Sequence, residues 1–343
     1  MTNPLSGWTV DRDAISFVGR DLQRPECVLA EADGTLWTAD ARGGVVRIAA
    51  DGTQELVAQH VDTEFADSGS ADRFTLGRTL PNGLAFAPNG DLVIADFGRD
   101  AIDRMTRTGE TSVLLSELDG QPLGKTNFVL ADSRGRFWFT VTTRLDPWTR
   151  SVNEKAPDGY VGLIDEDGLA RIVADGFVGT NEIRFDEAEE WLYVVESNAR
   201  RISRLRSLDD GSLVGREVYG PHDLGGIPDG FAFDAAGNLW ITLVNADRLV
   251  ALTPEGDLLT LLEDSDPERV VEWDRHFFAG TMTSEVLASA AGTLAPMMAS
   301  VTFGGPDLCT VYLGSLMGAT IPCFRTPVPG LALPHWTPTA GRA

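Results

Sequence analysis

Five side chains with oxygen donors stand at equivalent positions along the sequence. They are Glu26, Asn82, Asn127, Asn181 and Asp229, and each comes one or two residues before an apolar run. Carboxylate and amide oxygens are the ligands that Ca²⁺ and Mg²⁺ prefer in proteins. None of the four histidines occupies such a position, which disfavours a His-rich zinc site. The pattern predicts one divalent metal ion, with Ca²⁺ favoured and Mg²⁺, Mn²⁺ or Zn²⁺ as substitutes.

The same residue types also have a purely structural explanation. Asn and Asp are common in turns because their side chains hydrogen-bond nearby backbone groups. A turn explains any one of these positions, whereas a shared register in successive repeats favours a common site. Glu26 is the informative member, since glutamate is not a favoured turn residue.

The elements that must position these side chains follow from a repeated pattern. An apolar run, a turn and a second apolar run recur, in copies that begin at Val28, Leu84, Phe128, Ile183, Phe231 and, more divergently, Ala299. Each copy is typical of a β-hairpin because the turn contains a residue that tolerates a positive φ. A second strand pair follows most copies, so a unit holds about four strands and spans roughly 45 to 60 residues. The repeat predicts an all-β fold, a six-bladed β-propeller formed as a single domain by residues 1–343.

In a propeller the innermost strands converge on a central channel, so the residues that precede them meet at one mouth. Three segments interrupt the repeat, at about residues 60–80, 142–160 and 264–293. We expect them to form loops or short helices on one face, where they either carry substrate contacts or only cover the surface. The apolar residues 15–18 are expected to form the outer strand that closes the ring against the last blade.

Composition excludes several classes of protein. The net charge of −23 disfavours nucleic acid as a partner, because phosphate backbones are repelled. Three cysteines without a Cys-x-x-Cys pair indicate neither a disulfide framework nor a structural zinc site. No apolar stretch has the length of a membrane span, and residues 1–10 lack a signal-peptide pattern. We therefore expect a small-molecule partner, no membrane contact and a cytoplasmic location.

Several motifs, in the same order, resemble those of the senescence-marker-protein/gluconolactonase family, which includes luciferin-regenerating enzymes. They lie at residues 25–26, 82–84, 124–127, 138–140, 228–230 and 303–312. The resemblance implies a six-bladed propeller that holds one divalent metal and hydrolyses a lactone. Carried over residue by residue, it makes Glu26, Asn181 and Asp229 metal ligands and Asn127 a ligand or a substrate contact. Asp229 is also the candidate general base.

The sequence departs from the family pattern at residues that bear on the substrate. Phe97 stands where a His is usual, Phe128 replaces an Asp, and Lys125 stands in for a frequent Arg. We expect these three residues, with Asn82 and Asn127, to contact the substrate. A mouth lined by Phe97 and Phe128 favours a less polar alkyl or aryl lactone or ester. If the two rings pack between blades instead, a sugar lactone such as gluconolactone is favoured.

Two other classes of function stay open. The propeller can be a non-catalytic binding or scaffold module, because a fold does not determine a function. It can also resemble the metal-free strictosidine synthases, with Glu182 or Glu196 as the active carboxylate. The aligned oxygen donors argue against both. A serine-hydrolase mechanism lacks support, because the sequence has no Gly-x-Ser-x-Gly motif.

Overall fold

The computed structural model describes residues 2–59, 79–289 and 292–336. These residues form six four-stranded antiparallel sheets, which confirms the predicted six-bladed propeller. From the inner to the outer strand, the first three blades are Val28–Ala30, Leu36–Asp40, Gly44–Ile48 and Gln54–Ala58; Pro81–Phe86, Leu92–Asp96, Ala101–Met105 and Thr111–Leu115; and Thr126–Ala131, Phe137–Val141, Gly159–Ile164 and Ala170–Phe177.

The last three blades have the same order of strands. They are Thr180–Phe185, Trp191–Glu196, Arg201–Ser207 and Leu213–Tyr219; Pro228–Phe233, Leu239–Leu243, Arg248–Leu252 and Leu258–Glu263; and Met298–Gly304, Thr310–Ser315, Ile321–Arg325 and Ser16–Val18. A short ribbon joins Glu117–Leu118 to Gln121–Pro122. The inner strands of neighbouring blades contact one another, so their first residues meet at one end of the molecule.

The sixth blade closes the ring with a strand from the other end of the chain. Ser16–Val18 pairs antiparallel with Ile321–Arg325, and Ser16 lies opposite Cys323. This confirms the prediction that residues 15–18 supply the outer strand. The closure covers an edge of Ile321–Arg325 that would otherwise present unpaired backbone groups.

The core between the blades contains large rings whose polar atoms are satisfied. Each of three buried tryptophans donates its indole N–H to a carboxylate six residues earlier: Trp37 to Glu31, Trp138 to Asp132 and Trp240 to Asp234, over 2.6 to 2.9 Å. A buried indole needs such a partner, because an unpaired N–H is costly to bury. The repeated spacing from acid to tryptophan is therefore a packing requirement of the blade.

Helices occur in both predicted insertions that the structure describes. Arg150–Glu154 lies in the segment 142–160, and Pro267–Ala279 and Ser284–Leu287 lie in the segment 264–293. Asp266 caps the longest helix by accepting hydrogen bonds from the backbone N–H groups of Glu268 and Arg269. Residues 60–78 of the first predicted insertion lie outside the described residues. Among the helices that the structure describes, none combines the length and the apolar character needed to cross a bilayer.

The 3₁₀ helices are Arg12–Ala14, Ser197–Ala199 and Pro334–Trp336. The last of these lies against the far ends of the inner strands, where the His335 imidazole donates to the Ala30 carbonyl over 2.8 Å. The C-terminal segment therefore covers the end of the channel opposite to the first residues of the inner strands.

Candidate functional site

The predicted oxygen donors lie where the inner strands begin. Asn82, Asn127, Asn181 and Asp229 are each the second residue of an inner strand, and Glu26 lies two residues before Val28–Ala30. Each of the four strand donors lies within a shift of the pairing register with the next strand. Such bulges re-aim side chains. Here all five donors line one pocket at the mouth of the channel.

Two asparagines organise the floor of this pocket. Asn82 Nδ2 donates to Glu26 Oε1 over 3.0 Å and to the Asn127 carbonyl over 2.9 Å. Asn181 Nδ2 donates to Asp229 Oδ1 over 2.6 Å and to Ser197 Oγ over 3.1 Å. Because the donor sides of both amides bind protein groups, neighbouring side chains on the floor are held in fixed positions.

Three buried oxygens on this floor lack a hydrogen-bond partner among the described residues. They are Glu26 Oε2, Asn127 Oδ1 and Asn181 Oδ1, and all three residues are at most 9% exposed. Burying a polar atom without a partner costs about 1 to 3 kcal/mol. Three such acceptors beside the Asp229 carboxylate give the floor an excess of acceptor oxygens, which a bound cation would satisfy.

The electrostatics of the floor also favour a bound cation. Burial raises the pKa of Glu26 to about 7, although Arg24 opposes this shift. Burial, together with repulsion from Glu26 and Glu182, raises the pKa of Asp229 well above its usual range. Desolvation disfavours a buried carboxylate unless a positive charge offsets it. A cation on the floor would lower the pKa of both Glu26 and Asp229.

The donor set fits a hard divalent cation. Glu26 and Asp229 supply carboxylates, and Asn127 and Asn181 supply amide oxygens. In the part of the chain that the structure describes, no group of three or more His, Cys, Asp or Glu side chains is arranged to hold a metal. Oxygen-only ligation by two carboxylates and two amides suits Ca²⁺ better than Zn²⁺, which favours nitrogen and sulfur.

Two of the predicted substrate contacts lie elsewhere. Phe128 is buried in the core, and the Arg184 guanidinium lies 4.5 Å from its ring centre. Both residues line a cavity at the opposite end of the channel. The Lys125 ammonium pairs with Asp100 over 2.9 Å and lies outside the pocket lining. The structure therefore places Phe128 and Lys125 outside the lining of this pocket, and their contact with a substrate stays a prediction.

Phe97 does line the pocket, where its ring meets Trp148 edge to face at 5.4 Å. The pocket also contains Arg24, which the sequence interpretation did not select. Arg24 is 2% exposed and donates to the Pro81 carbonyl and to Asn82 Oδ1. The sequence did contain an indication of this role: Arg24 stands two residues before Glu26, at the entry to the same inner strand.

The two glutamates of the metal-free alternative are both bound to arginines. Glu182 lies outside the pocket lining and pairs with Arg184 over 2.9 Å. Glu196 accepts hydrogen bonds from Arg201 and Arg216, and from Ser203. This arrangement gives Glu196 a structural role within its blade.

Residues 25–264 match the family described as the SMP-30/Gluconolactonase/LRE-like region. The chain belongs to this family. The family includes gluconolactonases: the gluconolactonase of Zymomonas mobilis is 29% identical over 199 residues, which are 53% of each chain. The chain spans about half to three fifths of the length of the curated relatives that it matches.

Solved structures share the fold at lower identity. A gluconolactonase of Xanthomonas campestris superposes with a TM-score of 0.65 at 20% identity, over 92% of this chain and 89% of that one. The calcium-binding protein regucalcin of Agrobacterium tumefaciens superposes with a TM-score of 0.63 at 16% identity, over 94% and 98%. Membership of the family supports lactone hydrolysis at the level of the family.

Proposed function

We propose that this protein hydrolyses a lactone or a related ester at the mouth of its channel, in a reaction that requires a divalent metal ion. One observation carries the proposal: buried, unpartnered oxygens of Glu26, Asn127 and Asn181 meet beside the Asp229 carboxylate in one pocket. A scaffold has no need for such a costly arrangement. The gluconolactonases within the family support the choice of reaction.

Glu26, Asn127, Asn181 and Asp229 would hold the ion. Ca²⁺ is favoured because all donors are oxygens, and Mg²⁺, Mn²⁺ or Zn²⁺ are substitutes. The related fold of a calcium-binding regucalcin supports this choice. When bound, the ion would polarise the carbonyl group of the substrate and lower the pKa of the attacking water.

Asp229 is the proposed general base. Its Oδ1 accepts a hydrogen bond from the Asn181 amide, which holds the carboxylate in place, and an ionised aspartate is a sufficient base because the ion would acidify the attacking water. Asp229 takes a proton from water as the water oxygen bonds to the carbonyl carbon. The ester C–O bond then breaks, the proton passes to the leaving alkoxide, and a hydroxy acid forms.

Arg24 contributes a fixed positive charge to the same floor. Its guanidinium is held by the Pro81 carbonyl and Asn82 Oδ1, so its position does not depend on the substrate. A preorganised charge of this kind favours the negative oxygen that develops during acyl transfer.

Substitution of the base tests the proposal directly. Asp229→Asn keeps an amide oxygen for the ion but removes the proton acceptor, so kcat should fall by about 100-fold or more while metal content changes little. Asp307→Asn is the matched control, because Asp307 is exposed, pairs with Arg325 in blade six and does not line the pocket. Near-normal turnover by Asp229→Asn would contradict the assignment.

Metal dependence needs a separate measurement. Elemental analysis of protein purified without added metal identifies the bound ion. Thorough chelation should abolish turnover, and added Ca²⁺ should restore it. Full activity in protein shown to be metal-free would refute the proposal, and no turnover on a panel of lactones and esters would favour a binding module.

A further inference from the structure

The wall of the pocket above its oxygen-rich floor is largely apolar. Aromatic and aliphatic side chains come from several blades and from both described insertions, and include Phe97, Trp148, Val152, Trp273, Met297 and Leu316. Two of the rings are almost completely buried: Phe97 is 3% exposed and Trp273 is 2% exposed. The cavity they enclose has a volume of about 180 Å³.

Polar groups in this wall already bind other parts of the protein. The Thr142 hydroxyl donates to the Thr180 carbonyl over 2.8 Å, and the Ser197 hydroxyl donates to the Pro228 carbonyl over 2.6 Å. Their hydroxyl protons are therefore committed to the backbone. A ligand hydroxyl that needs a donor from either group would have to break an existing bond.

Two further polar side chains of the wall, Asn245 and Trp273, are also bound by protein groups. Asn245 Oδ1 accepts from the Ile227 N–H over 2.7 Å, and its amide donates to Asp274. The Trp273 indole N–H donates to the Leu287 carbonyl over 3.3 Å. Among the described residues, the wall thus offers mainly apolar contact, and the polar groups of Thr142, Ser197, Asn245 and Trp273 are already hydrogen-bonded within the protein.

A sugar lactone is poorly matched to such a wall. Each of its hydroxyls loses water on binding, and a polar group buried without a partner costs about 1 to 3 kcal/mol. An alkyl or aryl group instead gains about 0.8 kcal/mol for each buried methylene. The chemistry of the wall therefore selects against hydroxyls and in favour of apolar surface.

We infer that the substrate is a lactone or ester whose non-reacting part is an alkyl or aryl group with few hydroxyls. The reactive carbonyl lies at the floor, and the apolar part contacts the wall that includes Phe97, Trp148 and Trp273. The inference rests on the proposed hydrolysis and specifies its substrate. Trp148 is a specificity-determining residue because it lines the pocket from the 142–160 insertion and packs on Phe97.

Three six-membered lactones test the inference in the metal-loaded wild-type protein. δ-Valerolactone has the bare ring, δ-decalactone adds an alkyl chain, and gluconolactone adds hydroxyls. We expect kcat/KM, divided by each uncatalysed rate, to be at least about tenfold higher for δ-decalactone than for gluconolactone. Equal values, or a preference for gluconolactone, would overturn the inference and leave the proposed hydrolysis intact. If none of the three is hydrolysed faster with metal than without it, the proposed hydrolysis fails as well.

A variant locates the preference in the wall. Trp148→Ala should lower kcat/KM for δ-decalactone by about tenfold and for δ-valerolactone by less than about twofold, because only the longer substrate reaches the ring. Phe17→Ala is the matched control, since Phe17 is an exposed ring on the outer strand Ser16–Val18. Equal losses on both substrates, or no loss on either, would contradict the role of Trp148. The wild-type comparison decides the substrate class even if Trp148→Ala does not fold.

Discussion

Removing the metal should make the stability of this protein fall as the pH rises. The reason lies in Glu26, whose pKa burial raises to about 7 in the folded, metal-free protein, against 4.5 for an ordinary glutamate. The folded state then binds the Glu26 proton more tightly than the unfolded chain does. The free energy of unfolding is therefore highest below pH 4.5 and falls as the pH rises towards about 7.

The size of the effect follows from the two pKa values. At about 1.4 kcal/mol per pH unit, a rise from 4.5 to about 7 corresponds to a loss of about 3 kcal/mol by pH 8. Asp229 adds to the loss, because burial also raises its pKa. With the metal bound, both carboxylates are ionised beside a positive charge, and this loss disappears. The stabilisation that metal provides should therefore grow by about 3 kcal/mol or more from about pH 5 to about pH 8.

Glu182 titrates with the floor, because burial raises its pKa to about 8 and repulsion from Glu26 adds to the shift. Asp247 and His335 also titrate in this range but cancel from the comparison. Burial raises the pKa of Asp247 to about 7, so this group also destabilises the protein as the pH rises. Burial lowers the pKa of His335, so its contribution to stability increases as the pH rises towards 6.5. Neither residue lines the pocket. Both effects should be the same with and without metal. The difference in the free energy of unfolding between the two conditions therefore reflects the groups on the floor.

Urea unfolding with saturating Ca²⁺ or with chelator, at several pH values from about 5 to about 8, measures this difference. Glu26→Gln is the control, because it removes the titrating group and should reduce the pH dependence of the difference. A difference that is independent of pH, or that shrinks as the pH rises, would refute the reasoning.

Three further predictions concern the scaffold and a residue outside the pocket lining. Trp240→Ala should lower the free energy of unfolding by about 3 to 5 kcal/mol in chemical denaturation, because the ring is fully buried; an unchanged value would be inconsistent with its place in the core. Deletion of residues 2–18 should lower the Tm and promote aggregation in light scattering, since Ile321–Arg325 loses its outer partner; an unchanged Tm would show that closure is dispensable. Lys125→Ala should keep kcat/KM within about twofold of the wild-type value, because the ammonium pairs with Asp100 outside the pocket. A large loss of kcat/KM would indicate that Lys125 contacts the substrate.

Local patterns in the sequence determined the hairpins, the number of blades and the closing strand. Turn dipeptides such as Asp33–Gly34 act within a few residues, and Gly34 does adopt a positive φ of 88°. The spacing from acid to tryptophan is equally local, because the acceptor directly follows the first strand of a hairpin and the indole lies on its second strand. The six-bladed ring follows from repeating such units, since each blade must bury its faces against its neighbours.

The shared register of Glu26 and the four strand donors was also visible in the sequence, because equivalent positions in repeats occupy equivalent places in space. The pocket wall was not visible in this way. Phe97 and Phe128 look alike as departures from a family pattern, yet one lines the pocket and the other packs in the core. Phe97 follows the strand Leu92–Asp96 and lies at the mouth, whereas Phe128 lies within the inner strand Thr126–Ala131 and packs in the core.

The tertiary structure alone decided which distant residues meet. Trp148 and Trp273 belong to separate insertions and line the same pocket because the ring brings both segments over one mouth. Arg24 enters the floor beside Asn82 of the next blade, a contact that joins two repeats. Short-range propensities specify each hairpin, but contacts between blades depend on the closure of the whole ring, which no local pattern encodes.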